Sequence, residues 1–333
     1  MNNLNKRKIH IIAILAVIVS LCAVMLADAF TIAPSRYRTR YEALSSEKIP
    51  EQMDGLNVLF FSDLDYGTFT DQTRLNSITS KINALAPDVI LFGGDLYDQD
   101  VTPDDTSNQI LIDALSSLKA DYGKFAVMGD FDEETDDKKT AVSTVLNSGS
   151  FEVLNNTSLS IHKGGASSIT LVGLDNGLNG SQDVTAAYAN VSNNNYVVTL
   201  CHTPDSADEV PSDLTDYFLA GHSHGGQAYY LFGSLYAPEQ ATKYLRGTHV
   251  INDSFTLDIT NGVGNTKQDV RFLAPAEVVM YKFSHTEKES TPVPTASASA
   301  SDSSSDSSGT PEATQQSEQE AADKAAEQSG GNE

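Results

Sequence analysis

Cysteine is scarce in this chain. The only two, Cys22 and Cys201, sit in unlike surroundings, one inside an apolar N-terminal stretch and one in the body. No disulfide framework is on offer, so the fold must rest on a packed core. Positive charge is scarce too: Lys and Arg number 21 against 45 Asp and Glu, a net charge of -24. That balance argues against non-specific binding of DNA or RNA, which needs basic surface, and against wide contact with anionic lipid. Neither Gly93-Gly94 nor Gly225-Gly226 is followed by the Lys-Ser/Thr of a phosphate-cradling P-loop. What remains is an acidic chain of 333 residues, 40% hydrophobic, long enough for one large domain or two small ones.

One long apolar run is present. Lys6, Arg7 and Lys8 precede Ile11 to Ala27, a length at the short end of a membrane span. The basic cluster predicts a cytoplasmic N-terminus (residues 1–10), a single-pass anchor (11–29) and an extracytoplasmic body. Ala27-Asp28-Ala29 has the form of a signal-peptide cleavage site, which keeps a removed signal as the alternative. Just beyond, Arg36-Tyr37-Arg38-Thr39-Arg40-Tyr41 alternates with period two and reads as a strand with its arginines on one face. Those arginines either touch lipid phosphates or form the solvated face of an edge strand. Residues 288–333 are rich in Ser, Glu, Gln and Ala without apolar periodicity, and read as a disordered tail.

Between these ends one local pattern occurs five times: an apolar run that stops at a residue able to bind metal. Val58-Leu59-Phe60-Phe61 ends in Ser62-Asp63-Leu64-Asp65, and Val89-Ile90-Leu91-Phe92 in Gly93-Gly94-Asp95-Leu96-Tyr97-Asp98. Phe125-Ala126-Val127-Met128 ends in Gly129-Asp130-Phe131-Asp132, and Tyr196 to Leu200 in Cys201-His202. Tyr217-Phe218-Leu219-Ala220 ends in Gly221-His222-Ser223-His224. Continuous apolar runs predict strands covered on both faces. Helical spacing over 71–85, 106–119 and about 137–148 predicts βαβ connections and a largely parallel sheet. Shorter strands are expected at 151–154, 158–162, 168–173, 254–259 and 276–283. Functional groups then converge beyond the carboxyl ends of the strands, where open α/β sheets bind their ligands.

The ordered set resembles the calcineurin-like metallophosphoesterases, in particular their bacterial membrane-anchored branch, over roughly residues 37–284. The family pattern D-x-H, G-D-x-x-D, G-N-H-[DE], H and G-H-x-H corresponds to Asp63-Leu64-Asp65, Gly94-Asp95-Leu96-Tyr97-Asp98, Gly129-Asp130-Phe131-Asp132, His202 and Gly221-His222-Ser223-His224. The resemblance implies an α/β fold, a β-sandwich flanked by helices in four layers (αββα), over residues 30–287. It also implies two divalent metal ions. One would take Asp63, Asp65, Asp95 and His224; the other would share Asp95 and take Asp130, His202 and His222. Asp98 would orient these ligands from behind. The implied reaction is hydrolysis of a phosphodiester, phosphomonoester or phosphoanhydride by a metal-bridging hydroxide. The expected substrate is a phosphorylated small molecule or a lipid-linked one, and the sequence says nothing of the oligomeric state.

Three positions depart from the family. Asp65 stands for the first motif's His, Asp130 for the third motif's Asn, and Phe131 for the His that aids the transition state and protonates the leaving group. The two added carboxylates favour Mn or Fe over Zn, since oxygen donors now dominate. Loss of a general acid or charge stabiliser typically costs about 10²–10⁴-fold in rate, and Asp132 is the candidate replacement donor. The alternative function is a catalytically weakened metal-binding module that senses or scaffolds at the cell envelope. Arg271 either pairs with a site carboxylate or holds an edge of the fold. His10, His162, His249 and His285 have no motif context and read as surface or structural residues.

Overall fold

The computed structural model describes residues 2–230, 233–234 and 236–287; the tail expected at 288–333 lies outside them. Helix α1 (Asn2–Thr31) covers the apolar run and exceeds it at both ends. At 1.5 Å per residue its 30 residues reach ~45 Å. It is long and apolar enough to cross a membrane, and its apolar side chains from Ile9 to Leu26 are exposed.

In chain order there follow β1 (Arg38–Ser46), β2 (Asn57–Phe61), α2 (Gln72–Ala84), β3 (Val89–Phe92), α3 (Asp105–Ser116), β4 (Lys124–Ala126), α4 (Asp136–Ser148) and β5 (Glu152–Val153). Then come β6 (Thr157–His162), β7 (Ser168–Gly173), α5 (Val184–Tyr188), β8 (Val197–Leu200) and β9 (Tyr217–Ala220). A short ribbon, β10 (Tyr229–Tyr230) with β11 (Gly233–Ser234), precedes β12 (Gly247–Ile251), β13 (Phe255–Ile259) and β14 (Glu277–His285). Helices α2, α3 and α4 start where the sequence supplies a cap. Asp71 accepts from the Arg74 N–H, Asp104 forms a reciprocal capping box with Ser107, and Thr135 accepts from the Lys138 N–H.

The strands form two six-stranded sheets, ordered β1-β14-β2-β3-β4-β5 and β12-β13-β9-β8-β7-β6. The βαβ pattern suggested one largely parallel sheet; both sheets are in fact mixed. β14 returns antiparallel to β2 and parallel to β1, and β6 and β12 close the second sheet as antiparallel edges. The two β14 pairings join opposite ends of the domain, beyond the reach of local periodicity, whereas the β6 and β12 edges are hairpins with the next strand.

Three apolar clusters make the layers. Leu59, Phe61, Ile90 and Phe92 face α2, α3 and α4 through Leu75, Ile78, Leu111, Leu115, Val142 and Leu146. The alternate residues of the same strands, Val58, Phe60, Val89 and Leu91, meet Leu171, Val198, Leu200 and Leu219 of the second sheet. The outer face of that sheet (Val172, Val197, Phe218, Leu257) packs on Ala187 and Tyr188 of α5 and on Ala207 and Val210. A strand buried on both faces is apolar at almost every position, which is why β2, β3, β8 and β9 read as near-continuous runs. The architecture is the expected four-layer α/β sandwich.

The strand expected over 36–41 begins two residues later and runs on to Ser46. It is an edge strand, as the alternation suggested. Arg40, however, is turned inward. It donates to Asp258 at 2.9 Å and pairs with Glu42 and Glu277, while the Tyr281 hydroxyl donates to the same Asp258 oxygen at 2.5 Å. A polar clasp thus ties β1 and β14 of one sheet to β13 of the other.

Candidate metal centre

All five motif turns leave their strands at one end of the sandwich. β2, β3, β4, β8 and β9 each finish within a few residues of Asp63, Asp95, Asp130, His202 and His222, and the parallel pairing of their strands aligns those ends. The turns are tight. Asp63, Asp65, Asp95, His222 and His224 all adopt positive φ, between 48° and 68°. Asp tolerates this left-handed region better than most residues, His at some cost, and such backbone persists where surrounding structure over-determines it. Two glycines let the turns approach. A Cβ on Gly129 would stand 2.0 Å from Asp95 Oδ1, and one on Gly221 would stand 2.6 Å from Asp63 Oδ2.

The seven predicted side chains come together, all buried. Donor atoms of Asp95, Asp130, His202 and His222 lie within 4.8 Å of one another. His202 Nε2 is 3.1 Å from both Asp95 Oδ2 and Asp130 Oδ1, and His222 Nδ1 is 2.9 Å from Asp130 Oδ1. Beside this group, His224 Nε2 is 3.5 Å from Asp65 Oδ2 and 3.8 Å from Asp63 Oδ1. Asp63 Oδ1 joins the two groups, 4.0 Å from His202 Nε2, and accepts the His222 backbone N–H at 2.8 Å.

Two histidines have their outer nitrogens engaged. His202 Nδ1 lies 2.7 Å from the Gly93 carbonyl, and His222 Nε2 lies 2.7 Å from the Glu239 carbonyl. A carbonyl only accepts, so these nitrogens carry the protons, and the inward His202 Nε2 and His222 Nδ1 present lone pairs. The inward atoms Asp63 Oδ2, both Asp65 oxygens, Asp130 Oδ1, His202 Nε2 and His222 Nδ1 have no hydrogen-bond partner. Buried acceptors facing acceptors are costly unless a cation lies among them. The donor set therefore fits divalent metal.

The electrostatics carry the same signature. Burial, reinforced by Asp63, Asp95 and Asp98, holds the Asp65 carboxyl well above the usual range. Burial raises Asp95 to about 7, against the pull of His202. Burial would also raise Asp130; with no cation among the donors, protonated His202 and His222 outweigh it and hold this carboxyl below the usual range. Burial lowers His224 to about 4, so its ring is neutral at ordinary pH.

Around these seven stand the supporting residues. Asp132, the candidate proton donor, is fully buried and accepts the backbone N–H groups of Asp95, Leu96 and Gly129 at 2.8–2.9 Å. It clamps the second motif to the third, with both oxygens engaged. Asp98 accepts from the Thr266 hydroxyl and the Gln99 N–H, and so braces a loop behind the site; it bonds to none of the seven. Arg271, 1% exposed, forms no ion pair among the described residues. Its guanidinium donates to the carbonyls of His224, Asn261 and Gly264 and to Asn265 Oδ1, and lies 3.4 Å from His224 Nδ1. Phe131 donates its N–H to Asp95 Oδ1 at 3.0 Å, and its buried ring belongs to none of the three core clusters.

One bracing element escaped the sequence reading. Asn176 is fully buried, accepts the N–H groups of Leu178, Asn179 and Gly180, and donates to the Gly129 carbonyl and to Glu133. Asn179 donates to the Asp130 carbonyl at 2.9 Å. The loop after β7 therefore fixes the third motif. The only signal was an Asn-rich turn following a strand.

The profile of the calcineurin-like phosphoesterase family matches residues 56–226, which span all five motifs. The metallophosphoesterase YkuE of Bacillus subtilis (strain 168) is 29% identical over 256 residues, covering 76% of this chain and 87% of that protein. The phosphodiesterase YaeI of Escherichia coli (strain K12) is 29% identical over 213 residues, covering 62% of this chain and 75% of that one. A transmembrane protein with metallophosphoesterase domain from Danio rerio is 25% identical over 70% of this chain and 54% of its own length. The fold and the motif series thus lead to one conclusion: the chain belongs to the calcineurin-like phosphoesterase family.

Proposed function

We propose that the protein is a membrane-anchored phosphoesterase working through two divalent ions. Asp63, Asp65 and His224 would hold one ion and Asp130, His202 and His222 the other, with Asp95 shared between them. The observation that carries this reading is the ring of buried donor atoms that lack any hydrogen-bond partner. Divalent ions there supply Lewis acidity for phosphoryl oxygens and acidify a water. With four carboxylates in the set, Mn or Fe is favoured over Zn. The chain's own part is positioning. The Gly93 and Glu239 carbonyls fix two imidazole tautomers, Asp132 clamps two motif turns together, and Arg271 holds His224 from behind. Lys6, Arg7 and Lys8 before the apolar helix support an extracytoplasmic catalytic domain.

No side chain stands in the third motif to protonate a leaving group, since Phe131 cannot and Asp132 is engaged. Substrates with good leaving groups, such as anhydrides and aryl phosphates, are therefore preferred. The test is hydrolysis of bis-(p-nitrophenyl) phosphate with added Mn. Turnover abolished by His222→Ala is expected, and turnover undiminished in that variant contradicts the assignment. Phe131 also supports a second reading, a metal-binding module with little or no activity. Its mark is bound metal without turnover, regained when Phe131→His, Asp130→Asn and Asp65→His are combined.

A further inference from the structure

The end of α1 is fastened to the end of the sandwich that bears the site. β1 begins at Arg38 beside the start of β14, and β14 runs antiparallel to β2, so β1 starts at the end where β2 delivers Asp63. Ala29 is buried and its carbonyl accepts the Arg271 N–H at 3.0 Å; Arg271 in turn bonds to His224. A groove of about 810 Å³ opens at this junction.

Charge in the groove runs against that of the whole chain. Five arginines line it (Arg36, Arg38, Arg40, Arg246, Arg271) with three carboxylates (Asp28, Glu42, Glu277). Arg36 is paired with Asp28, Arg40 with Glu42, Asp258 and Glu277, and Arg271 is sealed among carbonyls. That leaves Arg38 and Arg246 without a carboxylate partner among the described residues. Arg38 is exposed, and the Arg246 guanidinium stacks 4.5 Å above the Tyr229 ring. The other walls are apolar. Val24 and Met25 come from the last turns of α1, and Leu273, at φ 55°, is 61% exposed. A leucine held outward in a left-handed turn beside two unpaired guanidiniums, at the end of an apolar helix, matches a lipid molecule part by part. Arginine suits the phosphate, and leucine, valine and methionine suit the first acyl carbons.

We propose that this groove binds an anionic phospholipid of the leaflet in which α1 ends, with Arg38 and Arg246 on its phosphate and Val24, Met25 and Leu273 against its chains. The site rests on α1 being a retained membrane helix. It reconciles a strongly acidic chain with a membrane surface, since the contact is one local site and not a broad basic face. It also holds the mouth of the metal centre close to the headgroups.

The chain has no tryptophan, so Leu273→Trp in the full-length protein gives a single reporter. In nanodiscs, quenching of that indole by brominated phosphatidylglycerol is compared with quenching by brominated phosphatidylcholine at equal mole fraction. The expected preference is about 5–30-fold for phosphatidylglycerol, the ratio given by ~1 kcal/mol for each of one or two basic residues at an anionic surface. It should fall close to one in Arg38→Gln/Arg246→Gln and return largely in Arg38→Lys/Arg246→Lys. Equal quenching by the two lipids in the parent, which needs no arginine variant, overturns the proposal; so does a preference unchanged in the double Gln variant. Loss of that preference when inorganic phosphate is added assigns the groove to free phosphate and overturns the lipid. Failure of the chain to stay in discs of either composition overturns the anchor on which the site rests. Metal content of the same samples reports on the catalytic assignment independently.

Discussion

Replacing Arg271 with methionine should damage stability and the metal centre together. The guanidinium is fully enclosed and donates to three buried carbonyls (His224, Asn261, Gly264) and to Asn265, with a fourth carbonyl, Ala274, at 3.3 Å. Methionine fills much of the same volume but leaves these acceptors unsatisfied, at about 1–3 kcal/mol for each one stranded. Burial of the charge offsets part of this, since it lowers the Arg271 pKa to about 10, so the net loss should be roughly 3–5 kcal/mol, toward the lower end of what the stranded acceptors together give. For a domain of this size that lowers the Tm by roughly 6–20 °C. His224 also loses its backing, so metal retained after gel filtration should fall. Arg271→Lys keeps the charge but lacks the planar fork, and should recover only part of both. The assay is thermal unfolding by circular dichroism, with elemental analysis of the same preparation. An Arg271→Met protein that melts with the parent and keeps its full metal complement would refute the reasoning.

Further outcomes follow from single contacts. Asp132→Asn puts an amide donor where three backbone N–H groups need acceptors. It should lower the Tm and cut metal retention, while a variant that loses turnover alone would restore Asp132 as a proton donor. Arg40→Met leaves Asp258 and Glu277 inside without their counter-charge and should cost about 3–5 kcal/mol in chemical denaturation, against little change for the exposed Lys243→Met. Asp104 caps α3, and its hydrogen bonds from Ser107 depress its pKa. A depressed carboxyl contributes stability above its unfolded pKa and loses it as pH falls through the folded one. The penalty of Asp104→Ala should accordingly be present at pH 7 and vanish in strong acid, as comparison of melting curves across pH will show.

The site was legible in the sequence because each of the seven motif residues follows a strand by two to four positions. Val58–Phe61 and Tyr217–Ala220 had to be apolar throughout to lie between two layers, and the polar residue ending each run marks where the chain leaves the sandwich. Helices α2, α3 and α4 were legible for a related reason, since each has one buried face and a polar cap at its start. What was not legible depends on distant partners. Nothing near Arg271 signals that its fork will meet carbonyls of residues 224, 261 and 264. Asp132 looks like a free acid until the Asp95 and Leu96 amides are seen against it. Arg40 alternates like a solvated residue but meets Asp258 from the other sheet. Asn176 braces the third motif from a loop whose composition reads only as a turn.

The central claim is that Asp63, Asp65, Asp95, Asp130, His202, His222 and His224 hold a pair of divalent cations. Elemental analysis of the full chain, purified after exposure to Mn, tests it most directly. The account predicts about two metal ions per chain, about one in His224→Ala, and weak or no retention in Asp95→Asn, which removes the residue proposed to serve both ions. A parent protein that retains no divalent metal, or one whose content is unchanged by Asp95→Asn, would contradict it.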